Sequence, residues 1–137
     1  MSFPRMHDVG AYVKPVAGIN PTDSAAATIN GSAIDRQGFQ SCVLMVMAGA
    51  ASGGPTAQTV DAKLQESDNG TSGWADVSGA AVTTVSADNS SAEVDVDLAT
   101  VKRYVRVVVT VGFTGGTSPT IPVASTVVLG GSDTLPQ

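Results

Sequence analysis

Apolar and polar residues alternate with a period of two along most of this chain, and the alternation is cleanest from Ala92 to Leu98. There Val94, Val96 and Leu98 interleave with Glu93, Asp95 and Asp97. Successive side chains of a strand point to opposite faces, so this segment predicts a strand with one dry face and one acidic, solvated face. Gln58 to Ser67 alternates likewise, with Val60, Ala62 and Leu64 opposed to Thr59, Asp61, Lys63 and Gln65. Arg103 to Phe113 predicts a long strand. Val105, Val107, Val109 and Val111 line one face, and Tyr104, Arg106, Val108 and Thr110 line the other. Ile121 to Leu129 places Ile121, Val123, Val127 and Leu129 on a shared face, with Ser125 among them. Gln40 to Ala48 departs from alternation. Its near-continuous apolar run predicts a strand covered on both faces.

Shorter strands are expected at Trp74–Val77 and Ala81–Ser86, and a small hairpin with a type I′ turn at Asn30-Gly31. Turn-rich stretches at 48–55, 67–73, 88–91 and 115–119 separate these segments. No stretch of the chain reads as an amphipathic helix. Strands at a spacing of roughly ten residues predict an all-β fold, an antiparallel β-sandwich or jelly-roll-like domain over residues 26–130. Residues 131–137 read as a polar C-terminal tail. Residues 1–25 show neither period, and Pro4, Pro15 and Pro21 each remove a backbone donor. They are expected to form an extended N-terminal arm that lies on a neighbouring subunit. The candidate contact residues of the arm are Phe3, Met6, Tyr12, Val13, Val16 and Ile19, because a purely solvating tail carries fewer apolar side chains.

Composition sharpens this picture in three ways. Apolar residues make up 42% of the chain but aromatics only 4%, so the core must come from Val, Ala, Leu, Ile and Met. The net charge of −5 opposes binding to phosphate backbones, and the one basic cluster (Lys102, Arg103, Arg106) is small; no nucleic-acid partner is expected. The single cysteine, Cys42, sits in an apolar run and reads as a buried thiol. No run approaches membrane-spanning length, and no apolar segment near Met1 resembles a secretory signal, so neither membrane insertion nor export by that route is expected.

Catalytic chemistry finds little to work with. The one histidine, His7, lies in the irregular N-terminal stretch, so no Ser-His-Asp or Cys-His arrangement assembles without it. Cys/His metal sites are disfavoured by count. The Glu93, Asp95, Asp97 row could in principle serve a hard cation or paired-carboxylate chemistry, but it alternates with the dry face and reads as a solvated surface. No enzyme activity, catalytic residue, metal or cofactor is expected. The most specific local feature is the loop from Glu66 to Trp74. Asp68, Asn69 and Gly70 supply turn dihedrals, and Trp74 can cover one end of the core. Asp68, Asn69 and Trp74 are therefore candidates for a loop-tip contact, with a sugar platform on Trp74 as the sharper alternative.

This loop resembles a hairpin that recurs in β-sandwich modules, including discoidin-type sugar-binding domains and small phage head proteins. Four further segments occur in an order that resembles the small β-sandwich head decoration, or cement, proteins of tailed bacteriophages. They are Lys14-Pro15-Val16 with Ile19-Asn20-Pro21, then Ile34 to Ser41, then Leu64 to Gly70, then Val101 to Val111. The resemblance covers residues 14–130. It implies a structural virion protein on the outer capsid surface, made in the host cytoplasm. Such a protein would form a dimer or trimer and bind the major capsid protein across capsomer contacts. It carries over no catalytic residues. A carbohydrate-binding or adhesin module, and a tail or head–tail joining protein, are the alternatives.

Overall fold

The computed structural model describes residues 8–137, and the chain is an all-β sandwich of two antiparallel sheets. After a short 3-10 turn at Val9–Ala11 come β1 (Lys14–Ser24), β2 (Ala27–Asn30), β3 (Ile34–Asp35), β4 (Phe39–Ala48) and β5 (Ala57–Ser67). These are followed by β6 (Ala75–Ala81), β7 (Ser90–Asp97), β8 (Tyr104–Thr114) and β9 (Ile121–Ser132). The first sheet has the order β1-β9-β4-β7; the second has β2-β8-β5-β6, with β3 also on β8. The first and last strands lie side by side, and most successive strands change sheet. That is the strand order of a jelly roll.

The alternation read from the sequence decides which residues enter the core. Leu44 and Val46 of β4, and Val127 and Leu129 of β9, face Val60 and Leu64 of β5 and Val105, Val107 and Val109 of β8, all fully buried or nearly so. Each such side chain contributes roughly 1.5–3 kcal/mol through removal from water. Ser125, the polar member of the β9 dry face, is buried and donates from Oγ to the Met45 carbonyl at 2.8 Å. Its desolvation is thereby offset within the sheet.

Three expectations are corrected. The expected arm does not extend to residue 25, because Lys14–Ser24 is β1, paired antiparallel with β9 of its own sandwich. Pro15 and Pro21 are compatible with a strand because β1 lies at the sheet edge, where a missing donor costs no ladder bond. Irregular pairing on either side of Ile19 breaks the period that the sequence would otherwise display. The Asn30-Gly31 hairpin is absent. β2 and β3 both run along β8, as one interrupted strand. Finally, the 81–86 strand reduces to a bridge between Val85 and Val60.

Gly31 is explained by proximity rather than by a turn. Its N–H donates to the Val107 carbonyl at 2.7 Å, and a Cβ there would collide with the Gly18 carbonyl and stand 3.1 Å from the Val107 oxygen. Backbones that close leave room for no side chain. Gly31→Ala is therefore expected to destabilise the fold by about 1–3 kcal/mol. Urea unfolding should show a lower midpoint at unchanged slope; a midpoint equal to that of the parent chain would contradict the close approach.

Candidate functional site

Cross-strand register builds a continuous surface on the outer side of the first sheet. One row runs Pro15, Val128, Val43, Asp95 across β1, β9, β4 and β7. The next runs Ala17, Thr126, Met45, Glu93, and a third runs Ala124, Met47, Ser91. Residues directly paired across strands share a face. The β4 column Val43, Met45, Met47 is thus the apolar centre of an otherwise small-residue face. Val43 and Met45 are half-buried and Met47 is 39% exposed. The sequence predicted that β4 is covered on both faces; among the described residues, a second sheet covers one face only.

The β7 column edges this surface with Glu93, Asp95 and Asp97, all exposed. None of the three takes part in an ion pair among the described residues. Asp97 Oδ1 accepts from the Ala99 amide at 2.9 Å, which orders the strand end. At that end the face dips into an open hollow of about 870 Å³, lined by Tyr12, Val13, Val43, Val128, Asp95 and Leu135 among others. The C-terminal tail helps to form it, through Gly131, Ser132 and Leu135. Gln137 donates to the Ala11, Gly10 and Val13 carbonyls at 3.0, 2.9 and 3.1 Å and clamps the Val9–Ala11 turn beside the hollow.

The arm candidates divide accordingly. Phe3 and Met6 lie outside the described residues. Tyr12 and Val13 line the hollow. Val16 is partly buried and packs against the core, and Ile19 is only 5% exposed, so both side chains serve the core of their own sandwich. The sequence analysis did not single out Val43, Met45, Met47 and Val128, which the register gathers on this outer face. The signal that could have found them was the doubly apolar run of β4.

The loop-tip candidates sit on the connection between β5 and β6, beside the start of β8. Ser67 is fully buried; its Oγ donates to the Ser72 carbonyl at 2.5 Å and accepts from the Gly70 amide at 3.1 Å. Asn69 Oδ1 accepts from the Thr71 and Ser72 amides, both at 2.9 Å. Asn69 therefore shapes the turn, and Asp68 pairs with Lys102 at 3.3 Å. The Arg106 guanidinium lies 4.6 Å from the centre of the Trp74 ring and donates twice to Gln65 Oε1, at 3.0 and 2.8 Å. One ring face of Trp74 is thus occupied by a cation, which weakens the sugar-platform reading. Hydrogen bonds from Gln65 and then Lys63 hold the Asp76 carboxyl below the usual carboxylate range. The basic cluster is dispersed into separate partnerships, the third being Arg103 with Asp35 at 2.9 Å.

No group of three His, Cys, Asp or Glu side chains comes together as a metal-ligand set among the described residues. Among the described residues, no helix is long and apolar enough to cross a membrane. Cys42 is buried in the core, and desolvation pushes its thiol up to about 11.

No family model matches the chain, and no curated protein matches it. Among solved structures it is similar to the SPBc2 prophage-derived protein YomS, at 17% identity and a TM-score of 0.44, covering 85% of this chain and 92% of that one. It is also similar to a subunit of Bacillus endospore appendages, a family of disulfide-linked pili, at 15% identity and 0.44 over 87% and 88%. A third is the Clostridium thermocellum xylanase 10B CBM22-1–GH10 structure, at 9% identity and 0.45, over 85% of this chain but 28% of that one. Likenesses this distant carry no functional argument.

Two outcomes follow from the site geometry. Only the thiolate attacks disulfide reagents, so native Cys42 should stay unreactive toward such a reagent at pH 8 and react fully in denaturant; fast native labelling would contradict its burial. The Arg103 hydrogen bond also holds the Asp35 carboxyl low. Its stabilisation should be fully present above the unfolded carboxylate value near 4 and disappear as pH falls through the lowered folded value. Both partners are exposed, so Asp35→Asn should cost under about 1 kcal/mol at pH 7. Chemical denaturation from pH 2 to 7 would show the difference between parent and variant vanishing at the acid end.

Proposed function

We propose that this chain is a non-enzymatic structural protein of a virus particle, a head decoration or cement protein of tailed-phage type that acts by packing against copies of itself and the major capsid protein. The observation that supports this reading is the outer face of the β1-β9-β4-β7 sheet. It presents an apolar column on a rigid sheet, bordered by carboxylates that have no ion-pair partner among the described residues. A flat apolar surface of that kind favours protein contact over small-molecule capture. The sequence resemblance to head decoration proteins points the same way. Repetition over many equivalent capsid sites would convert a modest contact into strong retention.

The test is addition of the purified chain to phage heads assembled without it, with binding read by co-sedimentation. The parent chain should bind, and Met45→Glu should weaken binding by at least about tenfold, the equivalent of ~1.4 kcal/mol per site. Trp74→Ala should bind as the parent does. Loss of binding with Trp74→Ala, or full binding with Met45→Glu, would contradict the reading. Deleting residues 1–20 is not a usable test, because it removes the first seven residues of β1, Lys14 to Asn20.

A further inference from the structure

We infer that the free edge of β7 is a strand-addition site for an extended segment of a partner protein in which Lys or Arg alternates with apolar residues. This contact runs along the backbone edge of the first sheet. It leaves the Val43, Met45, Met47 column uncovered and goes beyond the capsid contact proposed for that column.

The sandwich has strand edges at β1 and β7 of the first sheet and at β6 and β2–β3 of the second. An open edge is a row of unpaired backbone groups that invites another strand, and folds usually blunt it. β1 carries Pro15 and Pro21 and pairs irregularly around Ile19. β6 shifts register against β5 and holds Gly79 at a φ of 75°. β2 and β3 are short and interrupted. β7 has none of these devices. Its 8 residues pair with β4 in unbroken register, with no proline or glycine among them.

The ladder shows which groups the edge offers. The Leu98 N–H donates to the Gln40 carbonyl at 2.9 Å, so these two form a hydrogen-bonded pair. Bonded and non-bonded pairs alternate along an antiparallel ladder. Val96, Val94 and Ala92 therefore direct their N–H and C=O groups to β4, opposite Cys42, Leu44 and Val46. Ser91, Glu93 and Asp95 direct theirs to the free edge. The Met45 carbonyl agrees, since it turns away from Glu93 to accept from Ser125 of β9. No strand other than β4 pairs with β7 among the described residues.

Side chains then specify the occupant. Glu93, Asp95 and Asp97 stand about 7 Å apart on the outer face, exposed and without ion-pair partners among the described residues. Residues of an added strand opposite them share that face and spacing, so Lys or Arg there complements each carboxylate. On the inner face Ala92 and Val94 are only half-buried. The intervening residues of the added strand cover them and are apolar. A second copy of β7 does not fit, because antiparallel pairing of two such strands sets carboxylate against carboxylate. The acidic row thus bars self-pairing while admitting a cationic strand.

The experiment titrates the full chain with the capped peptide Lys-Val-Lys-Val-Lys-Val-Lys and reads binding and amide exchange by NMR. Saturation should slow exchange of the Ser91, Glu93 and Asp95 amides at least about tenfold. N-methylation of the lysines removes the N–H groups that face β7 and should weaken binding at least about tenfold, whereas N-methylation of the valines, whose N–H groups face away, should not. A peptide of the same composition with its four lysines in one block, and the Glu93→Lys, Asp95→Lys double variant, should each show a comparable loss. Core methyls such as Leu44 report that the double variant is folded. Equal binding of the two N-methylated peptides, or binding without slowed exchange at Ser91, Glu93 and Asp95, overturns the inference. Slowed exchange of those amides on raising the protein concentration without peptide also overturns it, by assigning the edge to a second copy. Head binding through Met45 is read separately and stands or falls without these outcomes.

Discussion

The fold depends on the dry layer between β8 and the strands of the opposite sheet. Val105, Val107 and Val109 are fully buried, and they meet a layer that includes Leu44, Val46, Val127 and Leu129. Aromatics are scarce, so no single large side chain anchors this core. Cohesion is distributed over many small β-branched residues, whose stiff rotamers suit a pleated sheet. Close approach of the sheets then limits what can stand between them, and Gly18 and Gly31 occur where β1, β9 and β8 crowd one another.

How much of this is legible in the sequence follows from the same physics. The one-sided strands β5, β7, β8 and β9 declare themselves, because each alternates against water. β1 does not, since its irregular pairing around Ile19 shifts the alternation and its prolines imitate a loop. β2 and β3 misled in another way. Asn30-Gly31 carries hairpin chemistry, yet Gly31 is needed for closeness to Gly18 and the strand continues along β8. Pairing between strands distant in sequence leaves no periodic trace, so the jelly-roll order could not be read in advance.

The candidate site was half legible. The acidic row of β7 stands on a solvent side as its alternation implied, and the Glu66–Trp74 loop is the self-bonded turn its residues describe. Tyr12 and Val13 lie at a surface hollow, whereas Val16 and Ile19 serve the core. The apolar run of β4 was informative in a way that one chain alone does not satisfy. It demands cover on two faces, and the second sheet supplies one. A water-facing row of Val and Met is unfavourable to leave bare, and this imbalance ties the fold to the proposed role in assembly.

The most direct measurement of that central claim is oxidative footprinting of Met45 and Met47 in the native, assembled protein, quantified by mass spectrometry against the unfolded chain. The account predicts that both methionines, which point away from the core, are nevertheless strongly protected. Oxidation of both at the rate of the unfolded chain would contradict it.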